Sequence, residues 1–208
     1  MIDKDLLFNY LDELYPDAHC ELNYSNNYEL LIAIMLSAQT TDKAVNKATA
    51  ILFKHYPTLG DLKNASLEDI EKDISFLGMY HNKAKHVKDI ATALVNQYDG
   101  EVPHDAKALT ALPGVGNKTK NCFLAEAYHE PYLAVDTHVQ RISKRLGLAK
   151  DKDDVLTIEK KLLKYIPTQR LIKTNHQIIW FGRYKCKAIK PDCKNCKLAD
   201  FCKEKVKN

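Results

Sequence analysis

A 3.6-residue apolar period runs along almost the whole of this 208-residue chain and leaves it little choice but helix. Tyr28, Leu31, Ile32, Met35 and Leu36 fall at i, i+3, i+4, i+7 and i+8, one stripe of an amphipathic helix. Val45, Ala48, Leu52, Phe53 and Tyr56 repeat the pattern, as do Val87, Ile90, Ala91, Leu94, Val95 and Tyr98. Strand alternation is nearly absent. Further helices are expected at 4–14, 67–75, 105–111, 117–128, 137–146, 152–165 and 169–181, with Ser66 and Asp69 spaced as a capping box. Breaks are expected at Pro57, Gly60, Gly78, Gly100, Pro113, Pro131, Gly147, Pro167 and Gly182. The pattern predicts an all-α protein of about ten short helices. With only seven Gly and seven Pro, 45% apolar and 28% charged residues, collagen-like, mucin-like and disordered classes are excluded. The longest uninterrupted apolar run, Leu30 to Leu36, is far short of the roughly 18 residues a membrane span needs. The start Met-Ile-Asp-Lys-Asp lacks the basic opening of a secretory signal, so a cytoplasmic location is expected.

Four of the six cysteines, Cys186, Cys193, Cys196 and Cys202, are spaced C-x6-C-x2-C-x5-C. In a cytoplasmic chain disulfides are the wrong interpretation, whereas four thiolates in one short segment can close around a metal centre. Spacing alone leaves an all-thiolate zinc site and an iron-sulfur cluster both open. The net charge is only +4, but between Arg183 and Asn208 nine Lys/Arg face three acids. Lys185, Lys187, Lys190, Lys194 and Lys197 interleave with the thiols, so a metal-held loop would present cations outward. Such a surface suits a polyanion, although a basic end can also be no more than a solvated tail.

Between two expected helices lies Leu112-Pro113-Gly114-Val115-Gly116-Asn117-Lys118-Thr119. Asn117 before the lysine excludes a Walker loop, and the lack of a preceding strand excludes a dinucleotide fingerprint. Glycines here permit positive φ and close approach, and amides opening the second helix can bind phosphate. Two short helices around such a turn have the form of a helix-hairpin-helix, which gives sequence-independent phosphate contacts, though a plain glycine-capped connection would look similar. Lys118 falls in the first turn of the second helix, where the helix dipole favours a neutral, nucleophilic amine. Asp136, in Val135-Asp136-Thr137-His138, is placed to N-cap a helix, and a carboxylate there could also orient a nucleophile or steady a cationic transition state.

Taken in order, Leu36-Ser37-Ala38-Gln39-Thr40-Thr41-Asp42, Glu101-Val102-Pro103, the Leu112 to Thr119 hairpin, Val135 to His138 and the four-cysteine terminus resemble the endonuclease III family of helix-hairpin-helix DNA glycosylases over nearly the whole chain. The resemblance implies two closely packed helical domains with an active cleft between them. One is a six-helix domain of 22–132 carrying the hairpin at 105–128; the other is 1–21 plus 133–208. It further implies a [4Fe-4S] cluster on Cys186, Cys193, Cys196 and Cys202. Lys118 and Asp136 become catalytic residues of a glycosylase and abasic-site lyase that removes oxidised pyrimidines from duplex DNA through a Schiff base. Gln39 resembles the residue inserted into the gap left by a flipped base, and Met79 stands where an apolar wedge, usually Leu, is expected. Leu112, Gly114, Val115 and Gly116 are the expected hairpin contacts to DNA, while His138 suits packing or a phosphate. Two positions depart from the pattern: Asn117 replaces the usual Arg or His, and Lys120 a small residue, which moves a cation along the hairpin helix. The expected partner is damaged or abasic duplex DNA, bound by a monomer. The competing alternatives are a non-catalytic DNA-binding protein with a structural metal site and a redox protein.

Overall fold

The computed structural model describes residues 2–203, so Glu204, Lys205 and Lys207 of the basic terminus lie outside the described residues. Among those residues there are eleven α-helices and no strand: α1 (Lys4–Leu14), α2 (Asn27–Leu36), α3 (Asp42–His55), α4 (Leu59–Asn64), α5 (Leu67–Ile74), α6 (Tyr80–Gln97), α7 (Ala106–Ala111), α8 (Asn117–Tyr128), α9 (Thr137–Arg145), α10 (Val155–Tyr165) and α11 (Leu171–Trp180). None is long and apolar enough to cross a membrane. They form two compact units, one of Glu21–Tyr128 and the other of Met1–Cys20 with His129–Asn208.

In the Glu21–Tyr128 unit, α2 departs from the expected single stripe. All seven residues from Leu30 to Leu36 are buried, because α3, α6 and α8 pack around the helix and cover every face. A helix apolar all round is a central core helix, and the unbroken apolar run was its signal. The short α4 is an addition to the expected elements. Thr58 caps it and Asp61 returns a bond to the Thr58 amide, a reciprocal capping box, so Gly60 sits inside a helix rather than at a break. At α5, Ser66 caps the Asp69 amide, while the Asp69 carboxylate accepts from the Ser66 hydroxyl at 2.8 Å.

The other unit buries Leu7, Leu11, Val139, Ile142, Ile158, Leu162, Ile178 and Phe181 in one core. Here α10 begins later than expected, at Val155, because Asp154 is its N-cap and accepts from the Thr157 amide. Gly182 is not a break either: α11 runs on through a widened turn, Phe181–Lys185. Asp12 fastens α1 to α11, accepting from Lys173 Nζ at 2.9 Å, Gln177 Nε2 at 2.9 Å and the preceding Arg170 Nη2 at 2.8 Å. Burial alone would raise the Asp12 carboxyl, but these donors override it and hold it at about 2, below its ordinary 3.8. A depressed carboxyl stabilises the fold above the unfolded value and loses that contribution as pH falls toward the folded one. Asp12→Asn should therefore cost roughly 1 kcal/mol at neutral pH, allowing for partial exposure, with the gap from wild type closing between about pH 4 and 2. Urea unfolding at a series of pH values reads this directly.

Candidate active site

The hairpin is built by a turn and a bare cap. Asp105 Oδ1 caps α7 by accepting from the Lys107 and Ala108 amides. The Val115 amide donates to Leu112 O at 3.1 Å, closing a turn with Pro113 second and Gly114 third. Gly114 has φ +74°, the third-position requirement of a type II turn, and an added Cβ would lie 2.7 Å from His86 Nδ1 on α6. Gly116 differs. Its carbonyl accepts the first helical bond of α8, from the Lys120 amide at 2.9 Å, so it holds the N-cap position with no side chain to cap with. An added Cβ there would meet no atom of the described residues within 4 Å. Leu112 and Val115 are buried and anchor the turn, while Gly114, Gly116, Asn117 and Lys118 are exposed. The start of α8 thus offers backbone amides and the Lys118 amine together at the surface.

In the same unit Gln39 and Met79 are both exposed, Met79 by 49%. Both have left-handed backbone, φ +54° and +59°, which L side chains rarely adopt. Strain of this kind persists only where surrounding structure imposes it, and it concentrates at functional sites.

In the other unit, buried Leu133 and Val135 lead into Asp136, whose Oδ1 accepts from the Val139 amide at 2.7 Å and caps α9. The cap uses Oδ1, leaving the carboxylate's second oxygen outside it. His138 is half-buried against Gly182, where an added Cβ would lie 2.9 Å from His138 Cβ. Burial pushes the His138 imidazole down and Asp136 only partly offsets this, while Arg141 and Arg183 push the same way as burial. Its Nδ1 accepts from Arg141 Nη2 at 3.2 Å.

The cysteine segment is held to α9 by two arginines. Arg141 Nη2 donates to Gly182 O and Cys186 O at 2.8 and 3.2 Å. Arg145 Nη1 reaches Lys187 O at 2.8 Å and Cys186 Sγ at 3.4 Å, and the Lys203 amide closes the far end on Arg145 O at 2.8 Å. All four cysteines are of intermediate exposure, and Cys186 and Cys196 pack against the core. Burial pushes the Cys196 thiol up, and nearby Cys186 and Cys193 push it the same way, so both lie within electrostatic reach of Cys196. Among the described residues no three His, Cys, Asp or Glu side chains converge on a single metal-ion position. The donor chemistry, four closely strung thiols that are partly screened from water, fits a group bound through thiolates.

A family model described as HhH-GPD superfamily base excision DNA repair protein matches residues 32–168, spanning the Gln39 turn, the Met79 turn, the hairpin and the Asp136 cap. The chain belongs to the HhH-GPD superfamily. Within it, endonuclease III of Bacillus subtilis (strain 168) is 44% identical over 93% of this chain and 89% of that protein. Endonuclease III of Escherichia coli (strain K12) is 43% identical over 95% and 93%. A solved structure of a trapped endonuclease III–DNA covalent intermediate superposes with a TM-score of 0.93, at 46% identity and covering 99% of this chain and 98% of that one. A thermostable thymine-DNA glycosylase, 22% identical with a TM-score of 0.84, shares the HhH-GPD fold.

Sequence reasoning missed three residues in this HhH-GPD chain. Arg141 and Arg145 sit at i+5 and i+9 from the Asp136 cap, with nothing in their spacing to show that they clamp a segment some 40 residues on. Lys83 was findable, because it lies four residues before Val87 on the apolar stripe of α6, where a lysine is out of place.

Proposed function

We propose that the protein is a base-excision-repair DNA glycosylase with abasic-site lyase activity, acting on oxidised pyrimidines in duplex DNA. The observation that carries this is Lys118, an exposed amine in the first turn of α8 directly after a helix start that no side chain caps. In this scheme the amides opening α8 and the Gly114 to Gly116 turn hold a backbone phosphate, and the open space at Gly116 is where it approaches. Gln39 and Met79 fill the stack vacated by the flipped nucleotide. Lys118 Nζ bonds to the sugar C1′ as the base leaves with the glycosidic electron pair and takes up a proton. The sugar ring opens to an imine, loss of a C2′ proton expels the 3′ phosphate, and water releases the amine. Asp136 stabilises the positive charge that develops on the sugar and accepts the proton lost by the lysine.

Cys186, Cys193, Cys196 and Cys202 would hold a [4Fe-4S] cluster, whose bonds to thiolate would cross-link the segment and set its lysines outward toward DNA. The protein works as a monomer in the cytoplasm, at the nucleoid when bound to DNA. A duplex with one thymine glycol, incubated with the purified protein, should be cut at that position into a product with an unsaturated sugar at its 3′ end. The same duplex without the lesion should stay intact. Equal cutting of both, or of neither, contradicts the proposal.

A further inference from the structure

Lys83 is 3% exposed, and a cation is expensive to bury without a partner. Its Nζ donates to Thr40 Oγ1 at 2.5 Å, and the Thr40 hydroxyl donates onward to Ala38 O at 3.2 Å. The pair therefore brackets Gln39 from both sides, across the turn closed by the Thr40 amide on Ser37 O. The backbone of the same lysine holds the other strained turn, its amide donating to Met79 O at 3.1 Å. One residue thus bonds the neighbour of one left-handed position, Gln39 at φ +54°, and the carbonyl of the other, Met79 at φ +59°. We infer that Lys83 is a positioning residue that locks the Gln39 turn to the Met79 turn, so that both side chains enter the gap in a duplex as one rigid unit. The inference rests on the proposed insertion of Gln39 and Met79 into DNA.

Two alternatives are disfavoured by the same geometry. A direct phosphate contact would need the ammonium at the surface, and it is buried. A plain stabilising role is better served by an apolar residue at this stripe position, since burial pushes the lysine's protonation equilibrium down and makes its charge costly. What the lysine supplies that an apolar side chain cannot is a directed donor into the Thr40 hydroxyl.

The test is equilibrium binding of the full chain to a duplex carrying one tetrahydrofuran abasic analogue, which has no base to remove, against the undamaged duplex of the same sequence. Lys83→Met keeps length and apolar bulk but removes the donor; Thr40→Ala removes the acceptor from a partly exposed turn and guards against a misfolded Lys83 variant; Thr40→Ser restores the hydroxyl. Lys83→Met and Thr40→Ala should each weaken analogue binding about tenfold, with less than about a twofold change on undamaged duplex, while Thr40→Ser binds as wild type. Adding Gln39→Ala to Lys83→Met should cost little beyond the larger single effect, because both remove the same inserted unit. Unchanged analogue binding by Thr40→Ala, or equal losses on both duplexes, overturns the inference. If Gln39→Ala and Met79→Ala also bind both duplexes as wild type, the insertion itself is wrong. If those two lose analogue binding while Lys83→Met does not, only the lock is wrong.

Discussion

Lys118→Ala should lower cleavage at a preformed abasic site by at least about 10³-fold while changing affinity for duplex DNA by less than about threefold. The nucleophile is the one part of the scheme that nothing nearby can replace. Lys120 lies two positions further along α8, about 200° around the helix, so it points to another face. Folding should be unaffected, because the lysine is exposed and alanine is the better helix former. Affinity should survive because phosphate recognition is assigned to the amides at the start of α8 and to the hairpin turn. Single-turnover cleavage and equilibrium binding, measured on the same preparation, separate the two effects.

Asp136→Asn should reduce turnover by about 10² to 10⁴-fold, the range for losing a positioned acid–base group. This variant separates chemistry from structure with unusual clarity. The carboxylate caps α9 through Oδ1 on the Val139 amide, and Asn caps a helix about as well as Asp. Thermal stability should therefore stay close to wild type while kcat falls. A large drop in stability with near-normal specific activity would reduce Asp136 to its cap. Together the two variants divide the reaction into bond formation at Lys118 and charge management at Asp136.

The helices were legible because each buries one face, and a 3.6-residue period survives in the sequence whenever that is so. The expectation failed where burial is not one-sided. α2 shows seven consecutive apolar residues rather than a stripe, since neighbours cover it all round. α4 was hidden by Pro57 and Gly60, which read as breaks, and by its length of six residues, too short to show a period. Gly182 looks like a helix breaker in the sequence. In the structure it is a close approach, vacant of side chain because His138 and Arg141 occupy the space a Cβ would need.

At the candidate site, Lys118 and Asp136 could be picked out because each stands at a helix start with a distinctive neighbourhood, Gly-Val-Gly before one and an apolar triplet before the other. The two glycines of the hairpin looked equivalent in sequence and are not. Gly114 answers to a positive φ and to His86, whereas a Cβ at Gly116 would meet no atom of the described residues within 4 Å. The strain at Gln39 and Met79 and the Lys83 tie between their turns depend on long-range packing, which no local spacing encodes.

The central claim is a covalent bond between Lys118 and the sugar of an abasic site, and borohydride reduction tests it most directly by converting the imine to a stable amine. Wild-type protein incubated with a duplex bearing one abasic site and borohydride should form a cross-linked species that migrates as protein plus DNA, and peptide mapping should place the adduct on Lys118. Lys118→Ala at the same salt concentration should give none. Failure of the folded wild type to form the adduct, or an adduct mapped to another residue, would contradict the account.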